Sequence, residues 1–251
     1  MKNSFIIILL LTVSYAFAQN QEGQITYEDK RNIHKTLPPE MEALKDRIPE
    51  FRTSEKILYF NSEEAVYKGV VKEKKKDEEF RGERRRRGRW NRDNNASVYY
   101  TNFNDNQSVD SRDFFGKKFL IEGVRDSKKW KMTGDQKQVG DYICQKATFK
   151  DSLNSIVVWF TPMIPVSTGP DDFFGLPGVI LHVDINDGER LITAQNVELK
   201  TFEESVISRP SEGKQISQQE FETMREDKMK EMEQMRAGRG GGRGYFFGRG
   251  K

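Results

Sequence analysis

The segment Phe173-Phe174-Gly175-Leu176-Pro177-Gly178-Val179-Ile180-Leu181 joins a glycine-proline corner to a run of apolar residues that favour β-structure. Proline fixes φ and lacks a backbone donor, whereas glycine adopts conformations that other residues resist. Leu176-Pro177 between two glycines therefore predicts a rigid turn into a strand that begins at Val179. The paired aromatics before the turn also suit a ligand or partner, so a structural corner and a contact site both remain open. The candidate contact surface consists of Phe173, Phe174, Gly175, Leu176, Pro177 and Gly178.

Outward from this corner, short segments that alternate apolar and polar residues are separated by turn residues. Ser155–Thr161 is the most apolar of these segments, and Asn186-Asp187-Gly188 is a strong hairpin signal between the strands on either side of it. We count about nine or ten strands with short turns and almost no helical periodicity between them. The sequence thus predicts a mainly β single domain over residues 19–213, with antiparallel strands in a curved sheet or open barrel.

One helix is predicted near the end of the chain, over residues 214–237. Ser217-Gln218-Gln219-Glu220 fits the capping box, in which the serine and the glutamate satisfy each other's backbone N–H groups. Phe221 and Met224 begin a 3.6-residue period that continues to Met235, and Gly238 can end the helix.

Residues 1–18 have the pattern of a secretory signal peptide. Lys2 supplies the positive charge, residues 5–13 the apolar run, and Ala16-Phe17-Ala18 a small-residue cleavage site before Gln19. We expect cleavage between Ala18 and Gln19 and a periplasmic or extracellular protein. No cysteine follows the cleavage site directly, so a lipid anchor is not expected, and no transmembrane segment is predicted in the mature chain.

Two segments carry most of the positive charge. Residues 72–92 hold eleven basic and five acidic side chains, and the last sixteen residues hold five basic and no acidic ones. We predict a disordered insertion at about 72–95 and a disordered Arg/Gly-rich tail over 238–251, because neither buries enough apolar surface to fold. Anionic lipid or lipopolysaccharide is the partner that suits this charge after export, nucleic acid is not expected, and a solvated charge run without a partner is the simplest interpretation. The anion-contact candidates are Arg84, Arg85, Arg86, Arg87 and Arg89.

Catalytic chemistry is sparse in this sequence. The single cysteine, Cys144, cannot form an intrachain disulfide and lies in an alternating pattern typical of a buried strand. The two histidines, His34 and His182, form no metal-binding motif, and no cofactor is predicted. An envelope hydrolase that uses His182 as its base is an alternative function, although no G-x-S-x-G nucleophile motif is present.

The middle of the chain resembles the GLPGLI family, exported proteins of unknown function from Gram-negative bacteria. The matching residues are Trp130–Thr133, Gly140–Thr148, Trp159–Pro170 and Gly175–Leu181. The family motif ends in Leu-Ile, whereas this chain has Val179-Ile180. The resemblance implies export, a β-rich fold and a cell-envelope setting, and it brings no catalytic residues. We therefore expect an exported binding or accessory protein that docks an apolar ligand or an envelope partner, such as an outer-membrane protein, near Gly175–Gly178.

The solvated-insertion interpretation makes a direct prediction. Deletion of residues 74–93 should leave the melting temperature within a few degrees of the full chain, since the segment contributes little to a core. Thermal unfolding followed by circular dichroism measures this, and collapse of the fold would contradict the interpretation.

Overall fold

The computed structural model describes residues 22–70 and 97–239 of the chain. The predicted signal peptide with Ala18 and Gln19, the basic insertion and the tail from residue 240 lie outside the described residues. The strands are β1 (Gly23–Asn32), β2 (Phe51–Phe60), β3 (Glu64–Gly69), β4 (Val98–Asn102), β5 (Gln107–Phe114), β6 (Lys117–Val124), β7 (Lys131–Val139), β8 (Tyr142–Lys150), β9 (Ser155–Thr161), β10 (Val179–Ile185), β11 (Arg190–Glu198) and β12 (Lys214–Ser217). The helix α1 spans Gln218–Arg239, and two 3-10 segments span Pro39–Arg47 and Glu204–Val206.

All twelve strands form one sheet in the order β12-β6-β5-β4-β3-β2-β1-β11-β10-β9-β8-β7. β12 and β7 are its two edges, and the sheet does not close. Neighbouring strands are antiparallel, apart from β12, which runs parallel to β6. The prediction of a mainly β domain with one helix near its end is therefore confirmed, whereas the strand count of nine or ten was too low.

Two strands differ from the prediction. β7 runs through Gly134 to Val139, a segment without an alternating apolar pattern in the sequence, and its side chains are almost all exposed. An edge strand that exposes both faces has no apolar alternation, so this element leaves little signal. β12 occupies the first four residues of the predicted helix, and α1 begins at Gln218 instead of residue 214. The predicted capping box is present, because the Glu220 N–H donates to Ser217 Oγ and the Ser217 N–H donates to Glu220 Oε2.

The connection between β6 and β7 requires the sheet to curl. Ten inter-strand steps separate these strands, which would place them roughly 48 Å apart in a flat sheet. Only six residues lie between Val124 and Lys131, and the connection reaches at most about 25 Å when fully extended. The sheet must therefore bend until its ends approach, and residues 125–130, here called the crossing segment, span its concave side.

The concave side is filled by residues 162–178, here called the motif loop. The main core cluster draws buried side chains from eight strands, from β1 to β3 and from β7 to β11. Its remaining buried members are Ile164, Val166, Phe173 and Leu176, all from the motif loop. A sheet face needs a second layer to bury its apolar side chains. Here a loop supplies that layer where a helix or a second sheet is more usual.

The opposite face and one end of the sheet are covered separately. Val66, Tyr100, Val109 and Leu120 form a second cluster that is closed by Ile207 from the segment after β11. Phe221 of α1 packs against Phe119 and Ile121 of β6 in a third cluster. The helix is thus attached to the sheet near its β12 edge.

Two motif glycines are required by close packing. A Cβ atom at Gly178 would lie 2.1 Å from the Thr161 carbonyl oxygen, and φ there is +153°. At Gly175, with φ of +92°, a Cβ atom would lie 2.7 Å from Ser127 Cβ in the crossing segment. The sequence interpretation of these glycines as a corner into the Val179 strand agrees with this geometry.

These contacts predict a large cost for substitution at Gly178. Gly178→Ala should lower the free energy of unfolding by at least about 3 kcal/mol, because the methyl group collides with rigid backbone. Gly140→Ala is the matched control, since φ there is +57° but nothing lies within 4 Å of its Cβ position. That control should lose only about 1–2 kcal/mol, as measured by denaturant unfolding, and similar losses in both variants would contradict the packing argument.

Candidate functional site

The structure divides the predicted contact surface into a buried and an exposed half. Phe173 and Leu176 are only 5% and 3% exposed, and Gly178 is buried with them. As contact residues, Phe173 and Leu176 are therefore unavailable in this conformation, because their side chains fill the core. Phe174 is half-buried, while Gly175 and Pro177 are exposed.

The buried half of the motif loop is fixed by backbone hydrogen bonds. The Val179 N–H donates to Ile164 O over 3.1 Å, and the Ile180 N–H to Thr168 O over 3.0 Å. The buried Tyr27 hydroxyl of β1 donates to Ile180 O over 2.7 Å. The loop is thereby tied to the start of β10, which the Tyr27 contact joins to β1 in the middle of the sheet.

The crossing segment holds the motif loop from the other side. Trp130 Nε1 donates to the Phe174 carbonyl oxygen over 2.7 Å, and Lys128 pairs with Asp172 over 2.8 Å. The Arg125 guanidinium lies 3.9 Å from the ring centroid of Phe174 and 4.8 Å from that of Phe103. The two aromatics of the motif are thus clamped between the sheet and residues 125–130.

The outer surface of the motif loop is apolar and rigid. Met163 is 64% exposed, and Pro162, Pro165 and Pro177 beside it are exposed as well. The Pro162 Cα lies 3.0 Å from the Gly178 Cβ position, so Pro162 and Pro177 are neighbours at this corner, and Met163 and Pro165 follow Pro162 in the chain. The proline rings fix the backbone and offer no N–H donors.

Beneath the loop lies a cluster of buried or half-buried charges, here called the ionic cluster: Asp29, Lys56, Asp171 and Arg190. Asp29 receives two hydrogen bonds from Arg190, over 2.9 and 2.7 Å. The same guanidinium contacts Asp171 over 2.5 Å. Lys56 Nζ lies 3.6 Å from a carboxylate oxygen of each aspartate. The cluster thus joins β1, β2 and β11 to the motif loop.

Electrostatics in this cluster follow from burial and charge pairing. Burial would raise the pKa of Asp171, but Arg190 and Lys56 outweigh it, and the pKa is lowered. Burial would lower the pKa of Arg190, and Asp171 and Asp29 raise it instead. Asp171 and Arg190 are therefore a charged pair at neutral pH, because a buried charge without a partner would be far more costly.

Sequence reasoning missed the ionic cluster. In the sequence, the adjacent Asp171 and Asp172 both have the character of solvated turn residues, but only Asp172 is exposed. A signal was available in β1, where Ile25, Tyr27 and Asp29 share the core-facing side by period-two alternation. A carboxylate on an apolar face requires a cationic partner, but Lys56 and Arg190 become identifiable only from the register.

His182 lies on β10 at the position expected for a strand histidine. Its Nδ1 shares a 2.8 Å hydrogen bond with Thr193 Oγ1 on β11. Burial, and then Lys137, lower the pKa of the imidazole to about 4, despite the opposing charge of Asp184. The ring is therefore neutral at pH 7 and is a weak base. The hydrolase alternative stays a prediction.

The structure also shows where the remaining residues of possible chemical interest lie. Cys144 is free and fully buried, and burial raises the pKa of its thiol to about 11. Within residues 22–70 and 97–239, no group of three or more metal-binding side chains comes together. In the same ranges, no helix has both the length and the apolar character needed to cross a membrane. The five anion-contact arginines between positions 84 and 89 lie outside the described residues.

The ionic cluster predicts unequal costs at two adjacent positions of β1. Asp29→Asn should lower the free energy of unfolding by roughly 3–5 kcal/mol, because Arg190 and Lys56 lose a buried counter-charge. Glu28→Gln removes a partly exposed pair with Lys30 and should cost no more than about 1 kcal/mol. Urea unfolding of both variants measures the difference, and equal small losses would show that the cluster contributes little.

Comparison with known proteins supports the fold and assigns no activity. Residues 150–182, which include the motif loop, match the model of a family described as "Protein of unknown function (Porph_ging)". Comparison with curated proteins gives no match.

Among solved structures, PNGF-II is similar in its C2 and P21 crystal forms, each with a TM-score of 0.54 and 16% sequence identity. The similarity covers 81% of this chain and 32% or 33% of the PNGF-II chain. The chain thus corresponds to about a third of those proteins, and at this identity the likeness concerns the fold alone.

Proposed function

We propose that this protein is an exported binding or accessory protein of the cell envelope, related to the GLPGLI family, and that it docks an apolar partner on the outside of the motif loop. The observation that carries the proposal is the exposed patch of Met163 with Pro162, Pro165 and Pro177. The opposite side of the same loop is fixed in the core, so the patch is held in one conformation before a partner arrives. Preorganisation of this kind lowers the entropic cost of binding.

The interior of the curled sheet has little free space, which favours docking on the outside of the loop. The cavity beneath Phe173 and Phe174 has a volume of about 10 Å³, whereas small-molecule sites usually measure roughly 300–1,000 Å³. Ile164, Val166 and Leu176 occupy the space that an apolar ligand would need. The partner is therefore an apolar surface or segment of an envelope component, and the motif contributes its exposed half.

A site-specific cross-link tests the proposal in living cells. A photoreactive residue in place of Met163 should give an adduct with an envelope component after export. The same residue in place of Ile143 should give none, since Ile143 is similarly exposed, at 59%, but lies on β8 away from the motif loop in sequence. Unlabelled protein added in excess should compete for the partner and reduce the adduct at position 163, and the Met163→Asp substitution in that competitor should abolish the competition. Equal adducts at both positions, no adduct at 163, or a protein retained in the cytoplasm would contradict the proposal.

A further inference from the structure

Two buried polar atoms with unused hydrogen-bonding capacity face the interior of the curl. Tyr67 of β3 is only 2% exposed, and its hydroxyl has no partner among the described residues. The Nε atom of Arg125 in the crossing segment is likewise buried without a partner. A buried polar group that lacks a hydrogen bond is costly, and such groups are rare enough in folded proteins to require an explanation.

Both residues line the same cavity, the one beneath Phe173 and Phe174. The cavity is also lined by Thr101, Thr168 and Asp171. Its volume of about 10 Å³ is at the lower limit of the roughly 10–15 Å³ that a buried water molecule needs. The residues around this space thus carry two donors without a partner, the hydroxyl groups of Tyr99, Thr101 and Thr168, and the carboxylate of Asp171.

The hydrogen-bonding groups that line the cavity determine which molecule can occupy it. Tyr67 and Arg125 offer donors, so the occupant must accept hydrogen bonds. The Asp171 carboxylate only accepts, so it suits an occupant that also donates, and the hydroxyls of Thr101 and Thr168 can accept or donate. A halide ion cannot donate, is larger than water, and would be repelled by Asp171. Water meets both requirements and commonly makes about three hydrogen bonds in such sites.

We infer that this cavity is a specific site for one buried water molecule, which accepts hydrogen bonds from Tyr67 Oη and Arg125 Nε. The water joins β3, the crossing segment and the motif loop, three parts of the chain that meet only inside the curl. Arg125 already donates from Nη2 to Ser167 O over 3.2 Å and stacks on Phe174. The water completes its polar contacts on the side that faces the sheet.

A crystal structure provides the direct test. Density for one water molecule in the cavity, within hydrogen-bond distance of Tyr67 Oη and Arg125 Nε, would support the inference. An empty cavity, in a map that shows ordered water elsewhere, would overturn it. Crystals soaked in bromide provide a second crystallographic test. An anomalous peak in the cavity would show that an anion occupies the site in place of water, and this result would also overturn the inference.

Thermal unfolding of hydroxyl-deletion variants gives an independent test in solution. Tyr67→Phe should lower the melting temperature by about 2–4 °C, the shift that corresponds to loss of one hydrogen bond in a protein of this size. If the cavity is empty, the same variant removes an unsatisfied hydroxyl and should leave the melting temperature unchanged or raise it. Tyr27→Phe is the control, since that hydroxyl donates directly to Ile180 O and should be destabilising in either case.

A double variant tests whether one water serves both groups. Arg125→Met keeps an unbranched stem against Phe174 but removes Nε. If a single water links the two residues, the combined loss in Tyr67→Phe/Arg125→Met should be smaller than the sum of the single losses. Additive losses would overturn the shared site.

Discussion

The short connection between β6 and β7 is the constraint on which the rest of the structure depends. Six residues must join strands that stand ten positions apart in one sheet, and no flat sheet allows it. The resulting curl creates a concave face with apolar side chains from eight strands, and that face must be covered. The motif loop fulfils this role with four side chains, so the glycines and prolines of the motif serve first of all to fit a loop into a narrow space.

A loop that covers a sheet leaves backbone polar groups without partners, whereas a helix pairs most of its own. A loop cannot satisfy its own backbone groups, so each buried N–H and C=O needs an outside partner. The start of β10 and the Trp130 indole supply several of these partners. The ionic cluster adds a fixed point at Asp171, whose φ of +50° marks a backbone position that is held by its side-chain contacts. A buried ionic group adds little net stability, but it disfavours alternative positions of the loop, in which a charge would be unpaired.

Much of the fold was accessible from the sequence, and the failures have physical causes. The corner at Gly175–Gly178, the hairpin at Asn186–Gly188 and the capping box at Ser217 are local devices, and each was predicted because its residues carry the conformation themselves. β12 and much of β7 were missed because an edge strand needs neither an apolar face nor alternation. The ionic cluster joins residues up to 161 positions apart, and only strand register reveals such pairs. The division of the motif into a buried and an exposed half was also hidden, since Phe173 and Phe174 are chemically identical neighbours.

The pairing of β1 with β11 has a consequence for the order in which the chain acquires its structure. Gln24 lies opposite Glu198, so the first strand is incomplete on one side until almost all of the domain is present. The antiparallel pairs from β2 to β6 join strands that follow each other in the chain and can form early. The pairing of β1 with β11, here called the central seam, closes a loop of more than 150 residues. Contacts of such high sequence separation slow folding. Until the seam closes, β1 and β11 each expose a long unpaired edge, and a chain delivered from its amino terminus must be kept from aggregating through that interval.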